Sequence, residues 1–200
     1  MKKRVFILAV ALAALTVAAI PGCSTNTQGD SAAPVFLVGG FSGNFVPNSS
    51  CVNTGLPLTV KTTTVQNRLK NPVSGSVQFL DVHVDKYTVV WGRLDGGTKV
   101  SPPQDFLATG FLVPPNGSGT CTDCPYMTFD NLQRPPLDQL FPFNGGIDKE
   151  TGRQQIRQAA NVTWFGHTLS GQAVSSDVAV FEVEFTYCAS AGRIETKRAQ

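Results

Sequence analysis

The side chains able to do chemistry are few, and Cys121 and Cys124 are the closest pair of them. They sit in Cys121-Thr122-Asp123-Cys124, a spacing shared by thiol-redox pairs, metal sites and haem-attachment segments. Covalent haem attachment needs a histidine directly after the second cysteine, and Pro125 stands there. A structural zinc site takes about four ligands. The chain offers two histidines, His83 and His167, and no second cysteine pair at ligand spacing. A thioredoxin-type pair needs a helix that begins at its first cysteine and lowers the thiol pKa. Here residues 114–120, Pro-Pro-Asn-Gly-Ser-Gly-Thr, read as loop, and Pro125 does not favour a helix starting at Cys121. The pair therefore reads as a disulfide staple in a loop, with an envelope thiol-redox or metal-binding role as the alternative.

A second constellation is Asp81, His83 and Asp85, alternating along a predicted strand. Residues two apart on a strand project to one face, so the three form a carboxylate–histidine set suited to proton transfer or a metal. The same alternation describes the wet face of a half-buried strand, and that reading is preferred. His167 falls near the tip of a predicted hairpin and is expected to be exposed. Glu182 and Glu184 lie two apart on one strand, about 7 Å at ~3.4 Å per residue. That suits a glycosidase pair, but it is the spacing of any two neighbours on one face. The chain has no Gly-x-Ser-x-Gly and no phosphate-cradling glycine loop. No catalytic residue, metal ligand or cofactor is assigned, and the expectation is a structural or interaction module without enzymatic activity. A carbohydrate-binding or hydrolytic domain is a further alternative.

The N-terminus carries a different chemistry. Lys2, Lys3 and Arg4 precede an unbroken apolar run over residues 5–20, and Ile20-Pro21-Gly22-Cys23 follows. At ~1.5 Å per residue the run reaches about 24 Å as a helix, short of the ~30 Å hydrocarbon core, so it fits a secretory signal better than a permanent span. The last four residues resemble a bacterial lipobox, although Pro21 departs from the small residue usual at its position. The match implies that residues 1–22 are a cleaved lipoprotein signal peptide and that Cys23 carries a diacylglyceryl thioether and an N-acyl chain. Two or more chains hold a protein stably on a membrane. The expected location is the bacterial cell envelope. Ser24 is not the aspartate that marks inner-membrane retention in some bacteria, which points to the outer membrane in a Gram-negative host. Removing Lys2, Lys3 and Arg4 from the sixteen basic residues leaves thirteen against fourteen acidic ones. No basic bias then remains to favour nucleic acid. The expected partners are the membrane, through the lipid, and an envelope protein or glycan.

Of the five cysteines, lipidation of Cys23 leaves Cys51, Cys121, Cys124 and Cys188. An even number in an exported protein favours disulfides. Three pairings exist, and Cys121–Cys124 with Cys51–Cys188 is favoured because the second ties the start of the domain to its last strand. Chain entropy gives such a long loop roughly 5 kcal/mol, against about 2 for the short one.

The elements that must position these residues are strands. Residues 23–34 are small and polar and read as a flexible tether, 35–191 as one domain and 192–200 as a tail. Residues 35–38 form a short apolar run. Residues 58–65 alternate, with Leu58, Val60, Thr62 and Thr64 on the more apolar face. Val82 and Val84 oppose Asp81 and His83; Tyr87, Val89 and Trp91 then oppose Lys86, Thr88 and Val90, before a turn at Asp95-Gly96-Gly97. Residues 106–113 form another strand, 135–141 hold one helical turn, and 150–158 are a loop or short helix. Residues 161–169 and 172–187 make a hairpin around Ser170-Gly171, with Ala179, Phe181, Val183, Phe185 and Tyr187 as its apolar stripe. Such short strands point to an all-β antiparallel sandwich, with a barrel as the alternative. The aromatics of Phe141-Pro142-Phe143-Asn144 are expected to plug the core, with partner contact as the other reading.

Over residues 58–187 the order of features resembles uncharacterised bacterial envelope lipoproteins with an immunoglobulin-like β-sandwich domain. The residues that carry this are Phe79-Leu80-Asp81-Val82, the run from Tyr87 to Gly97, the run from Ala160 to Gly166, and Gly171-Gln172-Ala173-Val174-Ser175. Phe185-Thr186-Tyr187-Cys188-Ala189 is similar to the last cysteine-bearing strand of immunoglobulin domains. The resemblance implies a fold and no activity, because sandwich folds host many functions.

Overall fold

The computed structural model describes residues 34–41, 49–70 and 78–189. The expected signal peptide, the lipidation residue Cys23, the tether up to residue 33 and the tail from 192 lie outside the described residues. Those described form an all-β domain of nine strands. They are β1 Val35–Gly40, β2 Ser49–Cys51, β3 Leu58–Leu69, β4 Val82–Arg93, β5 Gln104–Val113, β6 Ser118–Met127, β7 Gln155–Thr168, β8 Ala173–Ser175 and β9 Ala179–Thr186.

The strands make two sheets. One has the order β1-β3-β6; the other runs β2-β9-β7-β4-β5, with β8 also paired to β7. Every named pairing is antiparallel except β2 with β9. Both sheets line one apolar core. Tyr87 of β4 lies 5.3 Å from Tyr126 of β6, Tyr126 lies 5.2 Å from Phe181 of β9, and Trp164 packs 4.4 Å from Tyr87. An isolated bridge between Leu37 and Ser176 brings the sheets together along one edge.

The hairpin that β7 opens forms as its alternation predicts, with refinements. Ala179, Phe181, Val183 and Phe185 are buried, and Gly171 takes φ 85° at the turn. Its first arm starts earlier, at Gln155, so residues 155–158 are strand rather than loop. Its second arm is broken between β8 and β9, where the Ser176 hydroxyl accepts from the Trp164 amide at 2.9 Å and the Ser176 amide donates back to the Trp164 carbonyl. The helical turn expected near Pro136 is a 3-10 turn over Leu137–Leu140. The aromatic loop divides: Phe141 packs against the core and Tyr187, whereas Phe143 is exposed.

Two expectations change around the cysteine pair. Both proposed bridges form, with Cα–Cα separations of 5.4 Å for Cys51–Cys188 and 5.9 Å for Cys121–Cys124. However, Cys121 and Cys124 lie within β6 and not in the loop, which turns earlier, at residues 114–117. Across from them β3 switches its inward face: Leu58 and Val60 are buried, then Thr63, Val65 and Asn67. β6 switches with it, because Cys124 and Cys121 both point inward and Asp123 between them takes φ 52°. The alternation that put Thr62 and Thr64 on the apolar face therefore holds only for the first half of β3. Thr63 is buried without cost to its hydroxyl, which shares a 2.6 Å hydrogen bond with the Tyr126 hydroxyl.

Candidate functional site

β4 turns Val82 and Val84 inward, then Tyr87, Val89 and Trp91. A strand whose core face passes from even to odd positions must carry an extra residue. The register shows where: Val84 pairs with Gly166 and Lys86 with Phe165 on β7, and on β5 the pairing also shifts between Val84 and Lys86. Asp85 is the residue left between, a β-bulge that re-aims side chains. It faces outward beside His83.

On β7 the even positions from Ile156 to Thr168 stay buried, so His167 faces out. It is the direct cross-strand partner of His83, with ring centroids 5.3 Å apart. The Asp85 carboxylate lies between the two imidazoles. Its Oδ1 is 2.9 Å from His83 Nδ1 and its Oδ2 is 2.8 Å from His167 Nδ1. An ionised carboxylate only accepts, so each Nδ1 carries a proton in this arrangement. Burial pushes the Asp85 carboxyl up, but hydrogen bonds from His167 and His83, together with their charge, outweigh it and hold the group below the usual carboxylate range. The three side chains keep 39%, 43% and 47% of their surface open for His83, Asp85 and His167, so solutes can reach them.

Two glycines let the strands close around this cluster. A Cβ on Gly166 would strike the His83 carbonyl, and one on Gly110 of β5 would lie 2.5 Å from His83 Nε2. On the next rung the Lys86 ammonium sits 5.4 Å above the Phe165 ring. Two imidazoles sharing one carboxylate can pass a proton between them. They also offer nitrogen and oxygen donors that lie within 4.8 Å of one another.

The membership of this cluster differs from the sequence expectation. Asp81 is outside it: that residue precedes β4, and its carbonyl accepts from the Leu169 amide at 3.0 Å. His167 takes the third place. It is exposed, as expected, but it is not alone. The signal for it was the chain's two histidines both falling at outward positions of strands.

The other candidates are placed as follows. Cys121 and Cys124 are 7% and 3% exposed, within a strand, and no helix begins at Cys121 to lower a thiol pKa. Glu182 meets Arg157 at 3.1 Å and Glu184 accepts from Gln155 at 3.2 Å, so each has a partner on the neighbouring strand. Among the described residues, clefts of about 620 and 340 Å³ open beside Arg68 and Asn116 and beside Leu140 and Tyr187 respectively, and no described carboxylate lines either.

One charged constellation had no expectation at all. Arg93, at the end of β4, donates from Nε to Asp95 and from Nη2 to Asp148, both at 2.7 Å. These side chains are 3%, 1% and 0% exposed. Burial would raise both carboxyls. For Asp95 the Arg93 guanidinium and the amides of Arg157 and Gly97, and for Asp148 the Thr151 hydroxyl, Arg93 and the Glu150 amide, hold them below the usual range instead. The network clamps the loop after β4 to the loop before β7. One guanidinium meets both buried carboxylates, with Glu150 3.8 Å from its Nη1, and the amides of Gly97, Arg157 and Glu150 and the Thr151 hydroxyl bond the carboxylates as well, which is the work of a structural clamp.

No protein-family model matches the sequence, and no curated protein matches it.

Proposed function

We propose that this chain is a lipid-anchored cell-envelope protein whose single domain, an immunoglobulin-like β-sandwich, serves as an interaction module without enzymatic activity. The observation that carries this is the cysteine pairing. Cys51 with Cys188 and Cys121 with Cys124 use four of the five cysteines and leave Cys23 for lipid. Two disulfides belong to an oxidising compartment outside the cytoplasm, which agrees with a signal peptide ending at Gly22.

The immunoglobulin-like reading draws on two sheets that enclose Tyr87, Tyr126 and Trp164. It has one departure: the bridge joins Cys51 of β2 to Cys188, two residues past the end of β9, which is the neighbour of β2 in the same sheet, whereas an immunoglobulin bridge crosses between sheets. The interaction reading draws on the outer face of the larger sheet. There Leu107 is 87% exposed, and Leu112, Val90 and Val180 are also open to solvent. Eleven residues between Cys23 and Val35 reach at most about 40 Å when extended, so this face would work close to the lipid surface.

The test is the intact mass of the protein purified from membranes, before and after reduction, joined to photocrosslinking from position 107 in cells. The expected results are a chain beginning at Cys23 with acyl mass, a gain of two hydrogens for each of two bridges, and a crosslinked envelope adduct. A mature chain without acyl mass overturns the anchor, and the lack of any adduct overturns the interaction reading.

A further inference from the structure

We propose that His83, Asp85 and His167 form a binding site for a borderline divalent metal ion, copper(II) or zinc(II). The inference stands on the geometry of the sheet and does not depend on the lipid anchor.

The donor set is the first argument. Two imidazole nitrogens and one carboxylate suit borderline ions, whereas calcium takes six to eight oxygens and magnesium an octahedral oxygen shell. Both histidines of a 200-residue chain converge on one carboxylate. They come from different strands, 84 positions apart, so local sequence does not bring them together.

Distance is the second argument. Donors bound to one ion at ~2.1 Å stand about 3.0 Å apart at right angles and about 3.4 Å apart at the tetrahedral angle. The separations of 2.9 and 2.8 Å between each Nδ1 and its carboxylate oxygen are already close to this. The donors of all three residues lie within 4.8 Å of one another, so an ion that replaces the two shared protons also has to draw the two imidazoles closer together. The proton balance is simple. A neutral imidazole that gives up Nδ1–H to the ion takes the proton at Nε2, so both rings bind as the other tautomer and no net proton is released. An imidazolium releases one proton as it binds.

The backbone supplies the third argument. Without the extra residue at Asp85, the inward pattern of β4 could not continue to Tyr87, Val89 and Trp91. With it, Asp85 stands outward beside His83, and the glycines at 110 and 166 leave room for the His83 ring and carbonyl. The competing cation is occupied, since Lys86 lies over Phe165. Three protein donors on an open face leave further coordination positions for water or for a group brought by a partner.

The test uses untagged, oxidised, mature lipoprotein in detergent, titrated calorimetrically with copper(II), zinc(II) and calcium chlorides. One equivalent of copper is expected to bind, more tightly than one of zinc, following the usual order of divalent affinities, with no saturable calcium heat. His167→Ala and Asp85→Asn should each weaken binding by about tenfold or more, and Asp81→Asn should not. A nitrogen-15 imidazole spectrum of the unmodified protein gives a readout that needs no variant. Zinc should move both histidine signals together, from the Nδ1-protonated to the Nε2-protonated pattern. The proposal is overturned by the lack of saturable copper or zinc uptake, by unchanged affinity in His167→Ala, or by a response from only one imidazole.

Discussion

Replacing Arg93 with methionine keeps an unbranched apolar stem and removes the charged head of the side chain. Two hydrogen bonds to charged partners are lost, each worth ~1.5–3 kcal/mol, and Asp95 and Asp148 remain buried without their cation. Breaking a buried pair from one side costs about 3–5 kcal/mol, and that is the expected loss at pH 7. The pH dependence gives the sharper check. In the parent protein both carboxyls titrate below their ordinary value of 3.8 in the folded state. Their contribution is therefore complete above about pH 4 and disappears as the pH falls through the lowered folded values. In Arg93→Met the same carboxyls keep their burial and their amide and hydroxyl donors but lose the guanidinium, so their folded values rise above those of the parent. The deficit of the variant is then full at neutral pH and diminishes as the pH falls through the folded values of the two proteins. Urea unfolding with the disulfides intact, at several pH values from about 2 to 7, should show a deficit that is largest at neutral pH and shrinks as the carboxyls become protonated at the acid end. A deficit that is the same at every pH, or one under about 1 kcal/mol at pH 7, would show that burial of these carboxylates does not depend on Arg93.

Three further outcomes follow from other contacts. Gly166→Ala places a Cβ against the His83 carbonyl, so it should cost about 1–3 kcal/mol and shift both imidazole resonances; unchanged resonances would mean that the strands do not meet as closely as described. Removing the Cys51–Cys188 bridge as a serine pair should cost roughly 5 kcal/mol and removing Cys121–Cys124 roughly 2, so denaturation midpoints in the reversed order would contradict the loop-length argument. Tyr126→Phe strands the buried Thr63 hydroxyl and should cost about 1–3 kcal/mol. Thr63→Val added to it should recover part of that loss, and additive losses would show that the two hydroxyls are not partners.

Much of the fold was legible because burial on one side imposes a period of two. The stripe from Ala179 to Phe185, the turn at Gly171 and the long-range pairing of Cys51 with Cys188 all appear as their residues predict. What alternation could not supply was a change of parity inside a strand. At β3 the sequence Thr62-Thr63-Thr64 is silent, since threonine suits either face. Only the left-handed Asp123 on β6 and the two inward cysteines show that the switch falls there. The Arg93 clamp was hidden for another reason. Asp95-Gly96-Gly97 is a sound turn signal, and it forms a turn, but Asp148 lies 55 positions away from Arg93. A contact at that separation depends on how two loops dock, about which local residue types carry no information.

The candidate site divides along the same line. The parity change from Val84 to Tyr87 requires an extra residue at Asp85 or Lys86, and both are polar, so an outward carboxylate beside His83 follows from sequence. The partner across the sheet does not. Sliding β7 by two residues along β4 keeps every inward side chain inward, and it would set Phe165 or Leu169 against His83 in place of His167. The apolar pattern cannot choose among these registers, because a period of two is blind to a shift of two. Gly166 can. It is the one glycine in β7, and the position where the bulge brings the His83 carbonyl too close for any Cβ. Seating Gly166 there fixes the register, and His167, the next residue, then has to face His83. On this reasoning the pairing of the two histidines follows from a steric requirement of the backbone, and Asp85 joins them because the same bulge creates that requirement.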